Sequence, residues 1–348
     1  MIIKIDNKSI GEKNPVFIVA ELSANHNQDI NIAKKTIKAA AESGADGIKL
    51  QTYTPDTMTI DCDNEYFRIK QGTIWDGQNL YDLYKTAYTP WKWHKELKDY
   101  AEKLGLILFS TPFDKSAVDF LEKLDVPAYK IASFEITDIP LIEYIAKMGK
   151  PIIFSTGIAK KEDIELVVEA CKKHNNEKLV ILKCTSAYPA PVEEANLKTI
   201  PDIADRFQTI VGLSDHTLGS DVVIASVALG AKVIEKHFII DRSQGGPDSK
   251  FSMEPEEFRQ MVDSVRTVEK ALGKVTYELT RKAENGRELS RSLFVVEDVK
   301  KGQELTERNV RSIRPGYGMH PKHYFEVMGK KSSKDIKRGT PLDWDLIQ

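Results

Sequence analysis

The chain has 348 residues, of which 41% are hydrophobic and 29% charged, and its formal net charge is -2. This composition is that of an ordinary globular protein, and the near-zero charge gives no sign of a nucleic-acid or membrane partner. No apolar run is long enough to span a bilayer, and charge interrupts the N-terminal residues too early for a secretory signal. The three cysteines fit neither a zinc spacing nor a disulfide framework, so a cytoplasmic enzyme is the expectation.

Short apolar runs alternate with helical patterns along most of the chain. Residues 1–14 are typical of a hairpin, and the next strands are predicted at 15–20 and 47–52, on either side of a helix at 30–41. Residues 53–89 interrupt the alternation, and a connection of this length is usually functional or disordered. Further strands are predicted at 106–111, 128–133, 151–157, 179–185, 211–217 and 231–237, with helices between them and a closing helix at 254–272.

Eight strand–helix units over roughly 260 residues predict a (β/α)8 TIM barrel. A doubly wound open sheet is the alternative, but no glycine-rich dinucleotide loop follows the first strand. The barrel domain is expected at 1–273, with the hairpin 1–14 at its start, and a charged linker at 274–289. Residues 290–348 predict a small β-rich module, which at about 60 residues should pack on its own barrel or on a partner's.

Polar side chains end most of the predicted strands. In a TIM barrel the carboxyl ends of the strands meet at one face, and that face carries the active site. The strand-end residues are Glu21, Lys49, Gln51, Thr111, Lys130, Ser133, Ser155, Lys183, Ser186, Ser214, His216, Glu235 and His237. Several lysines and hydroxyls on one face suit a multiply charged anion, such as a phosphate with a carboxylate.

His216 and His237 end two neighbouring strands, which predicts a divalent metal ion with open positions. Each residue type also has a structural explanation. A strand-end histidine is often only hydrogen-bonded, a lysine could pair with a carboxylate and brace the rim, and a serine could cap a helix. Asp215 could orient a ligand histidine or cap a helix.

Several motifs resemble those of the sialic acid synthase family, in the same order along nearly the whole chain. In the barrel region they lie at 20–26, 49–52, 110–113, 129–133, 155–157, 184–189, 212–217, 235–238 and 246–248. The C-terminal module, with Arg314-Pro315-Gly316, resembles the antifreeze-like (SAF) domain that these enzymes carry, a β-clip fold. Within the family, the segments 75–94 and 246–252 resemble the branch that makes pseudaminic acid.

The resemblance implies a transferase that condenses phosphoenolpyruvate with an acetamido-sugar aldehyde and releases phosphate by C–O cleavage. Acetylneuraminate synthases typically have Asn where this chain has Ser186, which favours 2,4-diacetamido-2,4,6-trideoxy-L-altrose as the sugar and pseudaminic acid as the product. The alternatives are an N-acetylneuraminate or legionaminic acid synthase and, from another class, a metal-dependent pyruvate aldolase. A ligand- or ice-binding module on a scaffold barrel is disfavoured by the polar strand ends.

The family also implies roles for individual residues. Catalysis would fall to Glu21, Lys130 and Glu235; phosphoenolpyruvate binding to Lys49, Thr111, Lys130, Ser133, Ser155 and Ser214; sugar binding to Gln51, Tyr188, Asp248 and Arg314; and Mn2+ or Mg2+ binding to His216 and His237. The SAF domain is expected to be swapped in a homodimer, so that Arg314 acts in trans. The product is expected to enter flagellin or surface glycans.

Overall fold

The N-terminal part of the chain is a closed barrel of eight parallel strands, as predicted. The computed structural model describes residues 1–70 and 72–348, so Gln71, in the segment that interrupts the alternation, lies outside the described residues. An antiparallel hairpin of β1 (Ile2–Ile5) and β2 (Lys8–Gly11) precedes the barrel. The barrel strands are β3 (Phe17–Glu21), β4 (Gly47–Thr52), β5 (Ile107–Pro112), β6 (Tyr129–Ile131), β7 (Ile152–Ser155), β8 (Leu179–Cys184), β9 (Ile210–Asp215) and β10 (Val233–His237).

Helices follow the strands and form the outer layer. They are α1 (Ile30–Glu42), α2 (Pro55–Met58), α3 (Leu80–Ala87), α4 (His94–Lys103), α5 (Lys115–Lys123), α6 (Ile139–Ala146), α7 (Lys161–Lys173), α8 (Thr199–Phe207), α9 (Asp221–Ala228) and α10 (Pro255–Leu272). The two helices α2 and α3 belong to the long β4–α4 connection. Asp29, Asp114 and Asp138 cap α1, α5 and α6 by accepting backbone N–H groups, which fixes these loops at the carboxyl ends of the strands.

Alternate residues of each strand pack in two different layers, because successive side chains of a strand point to opposite faces. Val19, Phe109, Ile153 and Leu182 belong to the core inside the barrel. Residues of the other parity, such as Ile181, pack against the helices. At the carboxyl ends of the strands, the positions that point into the barrel are polar. They are Glu21, Lys49, Gln51, Thr111, Lys130, Ser155, Cys184, Ser214, Glu235 and His237.

The chain divides into two compact units, Met1–Gly273 and Lys274–Gln348. The second contains α11 (Arg281–Gly286), β11 (Ser292–Val295), β12 (Val310–Ile313) and α12 (Tyr324–Val327), and β11 pairs with β12 in antiparallel fashion. Its own core includes Leu293, Val310 and Leu342. Across the described ranges, none of the helices has the length and apolar character needed to cross a membrane.

Candidate active site

A buried lysine between two carboxylates forms the centre of the site. Lys49 Nζ, from β4, lies 3.1 Å from Glu21 Oε2 and 3.1 Å from Glu235 Oε1, and donates to Thr111 Oγ1 at 3.4 Å. All four side chains are buried. Burial disfavours the Lys49 ammonium, but the charges of Glu21 and Glu235 outweigh burial and raise the Lys49 pKa above its usual value. Lys49 is therefore held charged inside the barrel.

A second buried lysine, Lys130 from β6, approaches the same carboxylate. Its Nζ donates to Ser155 Oγ at 2.6 Å and to the Ile131 carbonyl at 3.0 Å, and lies 4.0 Å from Glu235 Oε1. Burial lowers the Lys130 pKa to about 8, because one shared carboxylate does not fully offset the desolvation of the ammonium. Ser214 Oγ donates to Glu235 Oε1 at 3.1 Å, so Glu235 links both lysines to β9.

Glu21 is a carboxyl group with a strongly perturbed proton affinity. Burial raises its pKa to about 7, against the opposing effect of Lys49. Gln51 Nε2 donates to Glu21 Oε1 at 3.0 Å and to Ser23 Oγ at 2.9 Å. A carboxyl group that exchanges its proton near neutral pH is suited to general acid–base chemistry.

Hydroxyl groups complete the wall around the lysines. Thr111 and Ser155 accept from Lys49 and Lys130, as described above. Ser133 Oγ follows β6 and accepts the N–H of Gly157 at 3.0 Å. The structure thus brings together on one face of the barrel every residue that the family resemblance connects with phosphoenolpyruvate.

The two predicted metal ligands, His216 and His237, converge beside this cluster. Their ring centroids are 5.3 Å apart. His216 Nδ1 donates to the Thr185 carbonyl at 3.0 Å, which leaves its Nε2 for a ligand. Burial and the neighbouring His216 hold the pKa of His237 well below its usual value, so its imidazole is neutral, the form that binds metals.

The donor set fits a divalent ion that keeps open positions. His237 Nδ1 is buried and has no hydrogen-bond partner, and Asp248 Oδ2 lies 3.7 Å away, beyond hydrogen-bond distance. Over residues 1–70 and 72–348 no group of three or more His, Cys, Asp or Glu gathers as a metal site. The chain would therefore supply two imidazoles, and substrate or water would fill the remaining positions.

Aromatic side chains form one wall next to the histidines. The Tyr188 ring lies 4.4 Å from His216, 5.4 Å from Trp75 and 5.1 Å from Phe251 between ring centroids. Trp75 Nε1 donates to the Pro247 carbonyl at 3.1 Å, which ties the long β4–α4 connection to the segment that carries Asp248. Tyr188 and Asp248, two of the predicted sugar-binding residues, thus lie beside the histidine pair.

Three predicted positions need separate mention. Arg314 follows β12 in the second compact unit, and its side chain is exposed. The prediction that Lys183 points into the barrel with the other lysines is wrong. The Lys183 side chain points outward, on the same side of β8 as Ile181, and faces the helical layer. Asp215 also faces outward, and its Oδ2 pairs with Lys236 Nζ at 2.5 Å.

Two buried groups at the site were not predicted from the sequence. Cys184 Sγ lies 3.8 Å from His216 Nδ1, and the spacing of the three cysteines, which fits neither a zinc site nor a disulfide framework, does not point to it. Glu135 lies in a short turn after β6, its Oε2 is buried without a hydrogen-bond partner, and burial raises its pKa to about 7. Its position two residues after Ser133 is the one signal that could have pointed to it.

Comparison with known proteins gives consistent matches over the whole chain. The NeuB family model matches residues 36–277, and the SAF domain model matches residues 290–348. The pseudaminic acid synthase of Campylobacter jejuni subsp. jejuni serotype O:23/36 (strain 81-176) is 50% identical over 327 residues, which cover 94% of this chain and 95% of that protein. The pseudaminic acid synthase of Helicobacter pylori (strain ATCC 700392 / 26695) is 49% identical over 335 residues, with 96% and 98% covered.

A solved structure gives the same result for the fold. The N-acetylneuraminic acid (sialic acid) synthetase from Leptospira borgpetersenii serovar Hardjo-bovis, in complex with citrate, has a TM-score of 0.74 and 32% sequence identity. The match covers 82% of this chain and 95% of that chain. The barrel described above is therefore the fold of a known sialic acid synthase.

Proposed function

We propose that this chain, which belongs to the NeuB family, condenses phosphoenolpyruvate with 2,4-diacetamido-2,4,6-trideoxy-L-altrose. A SAF domain follows its barrel at residues 290–348. The products are pseudaminic acid and phosphate. The relatives at about half identity that carry the name pseudaminic acid synthase support the choice of product. The observation that carries the reaction type is the buried pair Lys49 and Lys130, bridged by Glu235, beside two converging histidines.

The lysines bind the phosphate and carboxylate of phosphoenolpyruvate. Lys49 and Lys130 lie in a dry interior, where their field acts on an anion much more strongly than in water. Thr111, Ser133, Ser155 and Ser214 donate the hydrogen bonds that orient the anion. Glu235 keeps both ammonium groups in place before the substrate enters.

The sugar lies on the histidine side of the site. Gln51, Tyr188 and Asp248 contact its polar groups. His216 and His237 would hold Mn2+ or Mg2+, and a divalent ion bound there would supply Lewis acidity toward the aldehyde oxygen. The histidines and Tyr188 orient the aldehyde carbon toward the alkene of phosphoenolpyruvate.

The bond changes follow from this arrangement. The C3 carbon of phosphoenolpyruvate attacks the aldehyde carbon, the aldehyde oxygen takes a proton from solvent, and C2 becomes an oxocarbenium centre. Water adds to C2 and gives its proton to Glu21, whose pKa near 7 suits this transfer. The bond between C2 and the phosphate oxygen then breaks, the C2 hydroxyl gives its proton to the departing phosphate, and the keto group remains. Glu21 returns its proton to solvent.

Isotopic labelling tests the direction of cleavage. Phosphoenolpyruvate labelled with 18O at the bridging oxygen should release labelled phosphate, because the C2–O bond breaks. Label retained in the sugar acid would refute this step.

Ser186 supports the choice of a diacetamido sugar. Its Oγ is buried without a hydrogen-bond partner, so it is available to a substrate group. A Cβ atom at Gly157 would lie 2.0 Å from this oxygen, so the two positions share a tight wall. An N-acetylneuraminate or legionaminic acid synthase remains the alternative, and Ser186→Asn should shift kcat/KM toward N-acetylmannosamine if this wall selects the sugar.

The second domain completes the site from a partner subunit in this proposal. The SAF domain caps the barrel of the other chain in a swapped homodimer, and Arg314 binds an acetamido group in trans. Mixing an Arg314→Ala chain with a His216→Ala, His237→Ala chain should restore activity in one site of the heterodimer. Verified heterodimers without recovered activity would exclude the trans site.

A metal-dependent pyruvate aldolase is the alternative from another class. It would use pyruvate and release no phosphate, whereas the synthase needs phosphoenolpyruvate and releases one phosphate per product. Borohydride with pyruvate traps a lysine Schiff base in class I aldolases, and no trapping is expected here. The cytoplasmic location and the use of the product in surface glycans stay predictions.

A further inference from the structure

Outside the barrel interior, a cavity of about 430 Å³ lies between the ends of β7 and β8 and the helices α7 and α8. Its polar lining includes Thr156, Lys183, Thr185, Asn196 and Arg206. Ile164, Ile203 and Phe207 form its apolar wall. This space, which we name the Lys183 pocket, is distinct from the interior cluster because Lys183 points outward, on the same side of β8 as Ile181.

Lys183 is the distinctive group of this pocket. Its half-buried ammonium donates to the Cys184 carbonyl at 2.6 Å and to Thr185 Oγ1 at 3.4 Å. Within the described residues no carboxylate pairs with it, and burial lowers its pKa. An ammonium desolvated without a counterion is costly, so an anion in the adjacent space would stabilise it.

The other charged residues of the lining indicate what charge a bound ligand would carry. Arg206 pairs with Asp202 through two hydrogen bonds, at 3.0 and 3.3 Å, and Lys161 lies 3.6 Å from Glu165. Glu194 is exposed to solvent. Among the described residues, Lys183 is thus the one cation of the lining without an ion-pair partner, and a single carboxylate matches its single charge.

We propose that the Lys183 pocket binds a small carboxylic acid that carries hydroxyl or amide groups, with its carboxylate on Lys183. The hydroxyls of Thr156 and Thr185 and the amide of Asn196 already donate to the carbonyls of Leu182 and Glu194, so their oxygen atoms would accept hydrogen bonds from the polar substituents. The apolar wall would face the body of the acid. This site goes beyond the proposed reaction. It also adjoins it, because Thr185 contacts Lys183 through its hydroxyl and accepts from His216 through its carbonyl.

Calorimetric titration of the full chain tests this site without any turnover. Lactate and N-acetylneuraminic acid are titrated in separate arms, which distinguish a small hydroxy acid from a sugar acid. The wild type should bind one of them at a site in addition to the barrel interior. Lys183→Met should weaken that binding at least tenfold, and Lys183→Arg, which keeps the charge, should retain it. Lys161→Met, in the same lining, is the matched control and should bind like the wild type.

Two results would overturn the proposal. One is the absence of additional binding for both acids, and the other is unchanged binding by a folded Lys183→Met chain. If Lys183→Met does not fold, a crystal structure of the wild type with the acid decides. Density for a carboxylate beside Lys183 Nζ would support the site, and an empty cavity would exclude it.

Discussion

Lys49 and Glu235 form a buried ion pair, with 3.1 Å between Nζ and Oε1, inside a closed barrel. The same carboxylate oxygen lies 4.0 Å from Lys130, so one acid positions two cations. Because both lysines are nearly inaccessible to water, their field is set before any substrate arrives.

Replacing Lys49 should strongly reduce the use of phosphoenolpyruvate. In Lys49→Met, Glu21 and Glu235 lose their shared cation, and the kcat/KM for phosphoenolpyruvate should fall at least 100-fold. This corresponds to about 2.7 kcal/mol of transition-state stabilisation. Lys38→Met, on the exposed face of α1, is the control and should retain the wild-type value. A Lys49→Met enzyme whose kcat/KM stays within threefold of the wild-type value would show that Lys49 does not bind phosphoenolpyruvate.

The pH profile of kcat/KM should be bell-shaped and narrow. Glu21 must be ionised to accept a proton, so activity should fall as the pH drops below about 7, where burial has placed its pKa. Lys130 must be charged to bind the anion, so activity should fall as the pH rises above about 8. Steady-state rates between pH 5.5 and 9.5 measure both limbs.

Glu21→Gln separates the two limbs. The variant should lose most of its activity, and its residual rate should no longer decline on the acid side, because the base is gone. Glu96→Gln, on the exposed side of α4, is the matched control and should keep the wild-type profile. An unchanged acid limb in Glu21→Gln would assign that limb to another group, for which Glu135 is the first candidate.

Metal binding should depend on both histidines. EDTA should abolish turnover and Mn2+ should restore it. Equilibrium dialysis should show that His237→Ala loses Mn2+ affinity while its circular dichroism stays that of the wild type. His174→Ala, at the end of α7 and away from the site, is the control. A His237→Ala chain that binds Mn2+ normally would contradict the assignment.

Asp215 should matter for stability and not for chemistry. It pairs with the fully buried Lys236 on the outer side of the barrel. Asp215→Asn leaves that ammonium without its counterion, so the free energy of unfolding should drop by about 3–5 kcal/mol. Chemical denaturation measures this, with the surface variant Asp99→Asn as the control. A large loss of kcat/KM in folded Asp215→Asn would instead give Asp215 a role in the reaction.

The fold could be predicted from the sequence because each strand of the barrel is a short apolar run bounded by a helical pattern. Val16 to Ala20 and Ile152 to Phe154 are buried on both faces, as parallel strands between two layers must be. The same property hides which face each residue occupies. A strand without alternating apolar and polar residues does not reveal which side chains point inward. Nothing in the β8 sequence therefore shows that Leu182 faces the barrel interior and that Lys183 faces the helices.

The sequence predicted those site residues that lie at the ends of the barrel strands. Lys49, Lys130 and His237 are the polar ends of apolar strands, and the barrel brings them together. Lys183 has the same local pattern but opposite parity, so it was assigned to the wrong side. Cys184 carries no spacing signal, and Glu135 has only its position two residues after Ser133, because their significance comes from burial and from neighbours distant in sequence.

The choice of substrates is the central claim, and a competition assay tests it most directly. The enzyme is given phosphoenolpyruvate, Mn2+ and equal amounts of 2,4-diacetamido-2,4,6-trideoxy-L-altrose and N-acetylmannosamine, and the products are identified by mass while phosphate is quantified. We expect pseudaminic acid as the main product, with one phosphate released for each molecule formed. Product from N-acetylmannosamine alone, or product formed without release of phosphate, would contradict the proposed function.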